Sequence, residues 1–219
     1  LNSLAELKQT LEALNSKLLP KKKFSFRTKS SKPAAEPRLP EEEPERAVIP
    51  VRDSPGFRDR VGEVLRKSFR GSEGGEFTLS RLDSCEVRLV GRVRALFVNK
   101  LKGCRVYVGA VFGSVLIEEV EDCVFVLASH QIRVHFAERC DFYLRVRSRP
   151  IIEDCRGVRF GPYCLRYDGI EEDLRDAGLE EETGDWSNVD DFKWLKAVKS
   201  PNWSVLEEGE KVGAVEVDD

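Results

Sequence analysis

A cysteine returns through the middle of the chain, and no other feature narrows the fold as much. Cys85, Cys104, Cys123, Cys140 and Cys155 follow one another at intervals of 19, 19, 17 and 15 residues. Three positions before each stands an apolar or small residue: Leu82, Leu101, Val120, Ala137, Ile152. Two and four positions after come Val87 and Leu89, Val106 and Val108, Phe125 and Leu127, Phe142 and Leu144; the last turn slips by one to Val158 and Phe160. A repeat of roughly 20 residues marks a solenoid, and alternation within it marks strands. The expected fold is all-β: a right-handed parallel β-helix with short capping helices and an inward cysteine ladder. Counting back from the next cysteine, Leu96 and Val98, Val115 and Ile117, and Ile132 and Val134 share inward columns. The outward column between them reads Phe97, Leu116, Arg133. Apolar residues facing outward beside an arginine form a partner site, or else a terminal segment covers them.

Composition sets bounds. The 219 residues suffice for one substantial core plus appendages, and 41% apolar content suits a globular protein. A net charge of −3 does not favour nucleic acid. Cysteines at equivalent, apolar-flanked places in a repeat read better as small buried thiols than as disulfides, which fits a cytosolic protein. With no C-x-x-C pair and only His130 and His135 as imidazoles, zinc is not expected. No apolar run is long enough to span a bilayer and no signal peptide is apparent. Leu1 as first residue and the absence of methionine suggest a piece of a longer chain.

Residues 1–19 read as the end of a helical domain, because Leu4, Leu7, Leu11, Leu14 and Leu18 draw one apolar stripe that Pro20 stops. Residues 20–53 read as a charged, Pro-rich linker, basic then acidic, with little to bury. The β-helix domain is expected over 54–206. Its first part, 54–69, reads as a capping helix: Ser54 as N-cap, Pro55 at N1, and Phe57, Val61, Val64 and Leu65 on one face. A short acidic helix is expected over 169–182, carrying Ile170 and Leu174. Trp186, Trp194 and Trp203 should fold back on the solenoid, and 207–219 should form a flexible tail.

Gln131, Arg133 and His135 alternate with Ile132 and Val134, so an amide, a guanidinium and an imidazole share one outward strand face. Arg145, Arg147 and Arg149 extend a cationic surface into Pro150-Ile151-Ile152-Glu153. On pattern alone this is either a site or a solvated face. These motifs, with Phe142-Tyr143-Leu144, Phe160-Gly161-Pro162-Tyr163 and the stretch from Trp186 to Leu195, resemble the tubulin-binding cofactor C family over roughly 56–206. That family includes the retinitis pigmentosa 2 protein and cyclase-associated protein.

The resemblance implies a tubulin-folding GTPase activator with no nucleotide site of its own. Arg133 would be an arginine finger given in trans, Glu153 would orient it, and Gln131 would lie near the nucleotide. His135, Phe97, Leu116, Arg149 and Phe160 would contact the partner. The implied partners are αβ-tubulin carrying GTP on β-tubulin, and tubulin cofactors D and E, with the assembled dimer released after hydrolysis. No cofactor, metal, nucleic acid or membrane is implied, and the location would be the cytoplasm, cytoskeleton included. The alternatives are an activator of a small ARF-like G protein and a non-catalytic cytoskeletal binding module.

Overall fold

The computed structural model describes residues 54–69 and 74–218. The expected leucine helix and charged linker lie outside the described residues. Among the described residues thirteen strands occur in chain order: β1 Gly56–Val61, β2 Val64–Ser68, β3 Gly74–Asp83, β4 Glu86–Lys102, β5 Arg105–Glu121, β6 Val124–Glu138, β7 Asp141–Val146, β8 Ile151–Glu153, β9 Val158–Pro162, β10 Leu165–Arg166, β11 Asp190–Asp191, β12 Trp203–Val205 and β13 Val215–Glu216. Helix α1, Ile170–Asp176, falls between β10 and β11. Every pairing is parallel. The architecture is the expected parallel β-solenoid.

The register explains the sequence pattern. Leu65, Val87, Val106, Phe125, Phe142 and Phe160 stand in one inward column. Leu79, Val98, Ile117, Val134 and Ile152 form another, and Phe77, Leu96, Val115 and Ile132 a third. All are buried. The register puts like beside like, so Phe125, Phe142 and Phe160 stack with centroids 5.1 and 5.4 Å apart. Trp203 closes that stack edge-on at 6.1 Å, and Phe57 and Phe69 close the first coil edge-on against Phe77.

Two corners per coil let the chain turn. Arg81, Lys100, Glu119, Phe136 and Asp154 have φ between 51 and 59°; three residues later Ser84, Gly103, Asp122, Arg139 and Gly157 have φ between 51 and 61°. The residue after each second corner faces inward, which is where Cys85, Cys104, Cys123 and Cys140 stand. Each thiol lies 3.2–3.3 Å from the carbonyl two residues earlier, a second donor to a corner oxygen that already accepts a backbone N–H from the neighbouring coil. The cysteines are free.

Four expectations need correction. Cys155 is not the fifth rung. Glu138 bridges Arg156 and Asp141 pairs with Arg159, so Cys155 stacks on Ala137 while Val158 continues the column above Cys140. Ile152 accordingly sits in the Val134 column rather than the Ala137 column. Cys155 also follows a left-handed residue, Asp154, but at the first corner rather than the second, which is why its surroundings mimic the repeat.

Residues 54–69 form β1 and β2, not a helix. Backbone pairing to β3 and β4 outweighs the local cap signal, and Ser54 shares a side-chain hydrogen bond with Thr78. Residues 207–218 are held, not frayed: β13 pairs with β10, Val217 is buried, and the Val212 N–H donates to the Tyr143 hydroxyl at 2.9 Å. Finally, Arg145 and Arg147 do not extend the Arg133 face. Arg147 donates to the Gly178 carbonyl at 2.6 Å and pairs with Glu181 at 3.0 Å, while Arg145 lies beside Tyr163 and Glu182. The wall to which they belong carries a second apolar cluster, in which Ile170, Leu174, Leu179, Leu206 and Val217 pack over Val126 and Tyr143.

Helix α1 appears in the first half of the expected 169–182 stretch, with Ile170 and Leu174 buried, and ends at Asp176. The His130 imidazole meets the Ala177 carbonyl at 2.7 Å and fixes the helix end to the coils. No described helix is long and apolar enough to cross a membrane.

Candidate functional site

Arg133 projects from the middle of β6, between Ile132 and Val134, both fully buried. Those neighbours lock the backbone, and period-two alternation turns Arg133 outward. Its register partners are Leu116 on β5 and Ile151 on β8. Leu116 is opposite Phe97, and Ile151 is opposite Asp190 on β11. The outward column inferred from the sequence is therefore real, with Phe97 and Leu116 half-buried and Arg133 exposed. Among the described residues Arg133 makes no hydrogen bond or ion pair.

Its neighbours on the strand are more constrained. Gln131 is half-buried opposite Ser114. His135 stands between Glu118 on β5 and Glu153 on β8, with Nδ1 3.4 Å from one carboxylate and Nε2 3.7 Å from the other. The three side chains are 25%, 15% and 27% exposed, and Nε2 is buried without a hydrogen bond. Glu153 thus sits against His135, not against Arg133. Arg149 is exposed and pairs with Asp190 at 3.6 Å.

One expected partner-contacting residue is elsewhere. Phe160 is fully buried in the aromatic stack between Phe142 and Trp203, so its role is packing. Gln131, Arg133, His135, Glu153, Phe97, Leu116 and Arg149 do share one outward face. Sequence reasoning missed Glu118, the second carboxylate on His135. The signal was available in the repeat, since Glu118 lies one coil below His135 in step with it.

The family model for "Tubulin binding cofactor C" matches residues 74–192, which include every one of those side chains. This chain belongs to the tubulin binding cofactor C family. It is 60% identical over 222 residues to "Tubulin-folding cofactor C" of Arabidopsis thaliana, covering 99% of this chain and 64% of that protein. It is 35% identical over 231 residues to "Tubulin-specific chaperone C" of Homo sapiens, covering 95% of this chain and 65% of that one. The chain therefore spans just under two thirds of the length of these curated relatives. In fold it resembles the solved "Tubulin Binding Cofactor C from Leishmania major", with a TM-score of 0.56 and 23% identity over 76% of this chain and 97% of that one.

Chemically, the face combines an exposed, permanently charged planar donor with a backbone held by buried neighbours. A guanidinium can give several hydrogen bonds at once to phosphoryl oxygens. The Glu118–His135–Glu153 cluster lines up an imidazole between two carboxylates on adjoining strands. No group of three or more His, Cys, Asp or Glu among the described residues is arranged to hold a metal ion.

Proposed function

We propose that this chain acts in tubulin folding as a GTPase activator that inserts Arg133 into the nucleotide site of β-tubulin, within an assembly that includes tubulin cofactors D and E in the cytoplasm. The observation that carries the reading is an exposed, unengaged guanidinium mounted between two fully buried residues of a stacked coil. Membership of the cofactor C family, and relatives named for tubulin folding, supply the partner class.

The division of labour follows from the chemistry. Charge accumulates on the transferring γ-phosphoryl group, and a guanidinium offered in trans can contribute about 10³–10⁵ in rate. Binding energy at the interface holds it in place during reaction. Gln131 flanks it and lies near the nucleotide. Glu153 is one strand away, two residues beyond the register partner of Arg133. It orients the guanidinium once the partner docks, since catalytic contacts commonly tighten only in the complex. Phe97, Leu116, His135 and Arg149 contact the partner around the finger. Hydrolysis then releases the αβ dimer.

The test is phosphate release from GTP-loaded tubulin with cofactors D and E, titrated with this chain. Wild type is expected to accelerate release, while Arg133→Ala leaves it at the unstimulated rate with an unchanged melting temperature. Equal acceleration by both would overturn the assignment of Arg133.

A further inference from the structure

Beyond the coils, residues 192–199 read Phe-Lys-Trp-Leu-Lys-Ala-Val-Lys: three lysines and no acid in a chain of net charge −3. Of the eight large apolar side chains exposed among the described residues, three lie here: Phe192 at 52%, Leu195 at 94% and Val198 at 66%. The other five are scattered in ones and twos along the fold. Single exposed apolar side chains are ordinary, whereas a cluster on one loop marks an interaction site.

The loop holds these groups outward by construction. Asp191 organises its base: Oδ1 accepts from the Lys193 N–H at 3.2 Å, and Oδ2 accepts from the Ser200 hydroxyl at 2.6 Å and the Asn202 amide at 2.7 Å. The Trp194 indole N–H donates across the loop to the Val198 carbonyl at 2.7 Å. Lys196 and Lys199 lie over the rings of Trp194 and Trp203 at 4.7 and 4.6 Å. Lys193 pairs with Asp154 at 3.5 Å. Leu195 at the tip contributes almost nothing to this internal network. A loop ordered in advance around an outward leucine loses little entropy on binding.

Position links the loop to Arg133. It springs from β11, where Asp190 is opposite Ile151, itself opposite Arg133. Two strand spacings amount to about 10 Å. The Phe192 N–H donates to the Ile152 carbonyl at 3.0 Å, bringing Phe192 into step with Glu153.

We propose that residues 192–199 form a preset anchor that seats an acidic, apolar-pocketed surface beside the nucleotide of the GTP-carrying partner. Leu195 and Val198 fill the pocket, Lys196 and Lys199 face the acidic rim, and Lys193 exchanges Asp154 for that rim on docking. The charge sign selects an acidic surface, and continuity with the Arg133 face places that surface next to the reacting phosphate. All but the first residue of the loop lies past the end of the family match at residue 192. The proposal rests on the tubulin reading for the identity of the partner and on the Arg133 finger for its place beside the nucleotide.

The experiment measures tubulin GTP turnover, with cofactors D and E, against the concentration of this chain. It compares wild type, Leu195→Glu, Lys193→Glu/Lys196→Glu and Arg133→Ala. Leu195→Glu is expected to raise the half-saturating concentration at least about tenfold, with the plateau rate and melting temperature kept. The lysine pair is expected to do the same, with a penalty that shrinks between about 50 and about 300 mM salt. Unchanged half-saturation for Leu195→Glu overturns the anchor, whatever Arg133→Ala does. Should wild type fail to stimulate, or Arg133→Ala match it, the finger reading fails, and direct binding of wild type and Leu195→Glu to labelled tubulin then decides the anchor separately. Equal binding by the two overturns it. A wild-type dimer in sedimentation that Leu195→Glu dissociates assigns the loop to self-association and also overturns it.

Discussion

Arg133 differs from the arginines around it by what it does not touch. Arg139 is tied to Glu121, Asp122 and Glu138, Arg159 to Asp141 and Glu210, and Arg147 to the segment after α1. Those side chains serve the fold; Arg133 is left available. The thiols show the opposite condition. Burial pushes the Cys155 thiol up to about 11, and donation of the Cys104 thiol proton to Cys123, then burial, raises Cys104 further. Folded protein at pH 8 is expected to leave Cys85, Cys104, Cys123, Cys140 and Cys155 unlabelled by a thiol reagent, all reacting on unfolding. Rapid labelling of any of them in folded protein would contradict the ladder. The sign for stability follows from the raised value. The Cys155 contribution is whole below the ordinary thiol value of 9.0 and is lost as pH climbs through about 11. Denaturant midpoints across that window should fall with rising pH, and Cys155→Ala should flatten part of the slope.

At the scale of the element, each coil is two walls joined by left-handed corners. A non-glycine residue there carries roughly 1–2 kcal/mol of strain, which the stacked columns on either side offset. Gly103, at φ 58°, has room for a Cβ but not the conformation. Gly103→Ala should lower stability by about 1 kcal/mol, and Gly103→Asn by less, since asparagine tolerates this region. Chemical denaturation reads both. Phe142 has a ring on each side, so Phe142→Ala should cost about 3–5 kcal/mol. These columns were legible in the sequence because alternation and a recurring motif leave the same residue types in register, although the interval between coils varies. The corners were not legible, because Arg81, Lys100, Phe136 and Arg139 are not residues that announce positive φ. The misplacement of Cys155 has the same origin: two corners three residues apart give a cysteine similar neighbours in either place. In β1 and β2, Ser54-Pro55 and the spacing of Phe57, Val61, Val64 and Leu65 imitate a capped helix. Only the open edge of the next coil, a long-range partner, makes them strands.

For the whole molecule, the outcome is an asymmetry between walls. One wall is covered by α1 and the C-terminal residues, which take Arg145 and Arg147 with them. Another presents Arg133, with the 192–199 loop at its border. The Gln131-Arg133-His135 strand could be read from alternation alone. The place of Glu118, the burial of Phe160 and the exposure of Leu195 depend on how coils and tail fold back, which spacing does not encode. Neutralising the two carboxylates beside His135 tests the link between the parts. Glu118→Gln/Glu153→Gln should cut stimulated turnover more than it shifts the melting temperature, and a loss in melting temperature alone would make the cluster purely structural. The most direct measurement is single-turnover GTP hydrolysis on tubulin, with cofactors D and E, at a saturating concentration of this chain. Arg133→Ala is expected to slow the chemical step by at least about 10³ while tubulin binding changes far less. A variant that binds and hydrolyses as fast as wild type would contradict the claim that this guanidinium completes another protein's active site.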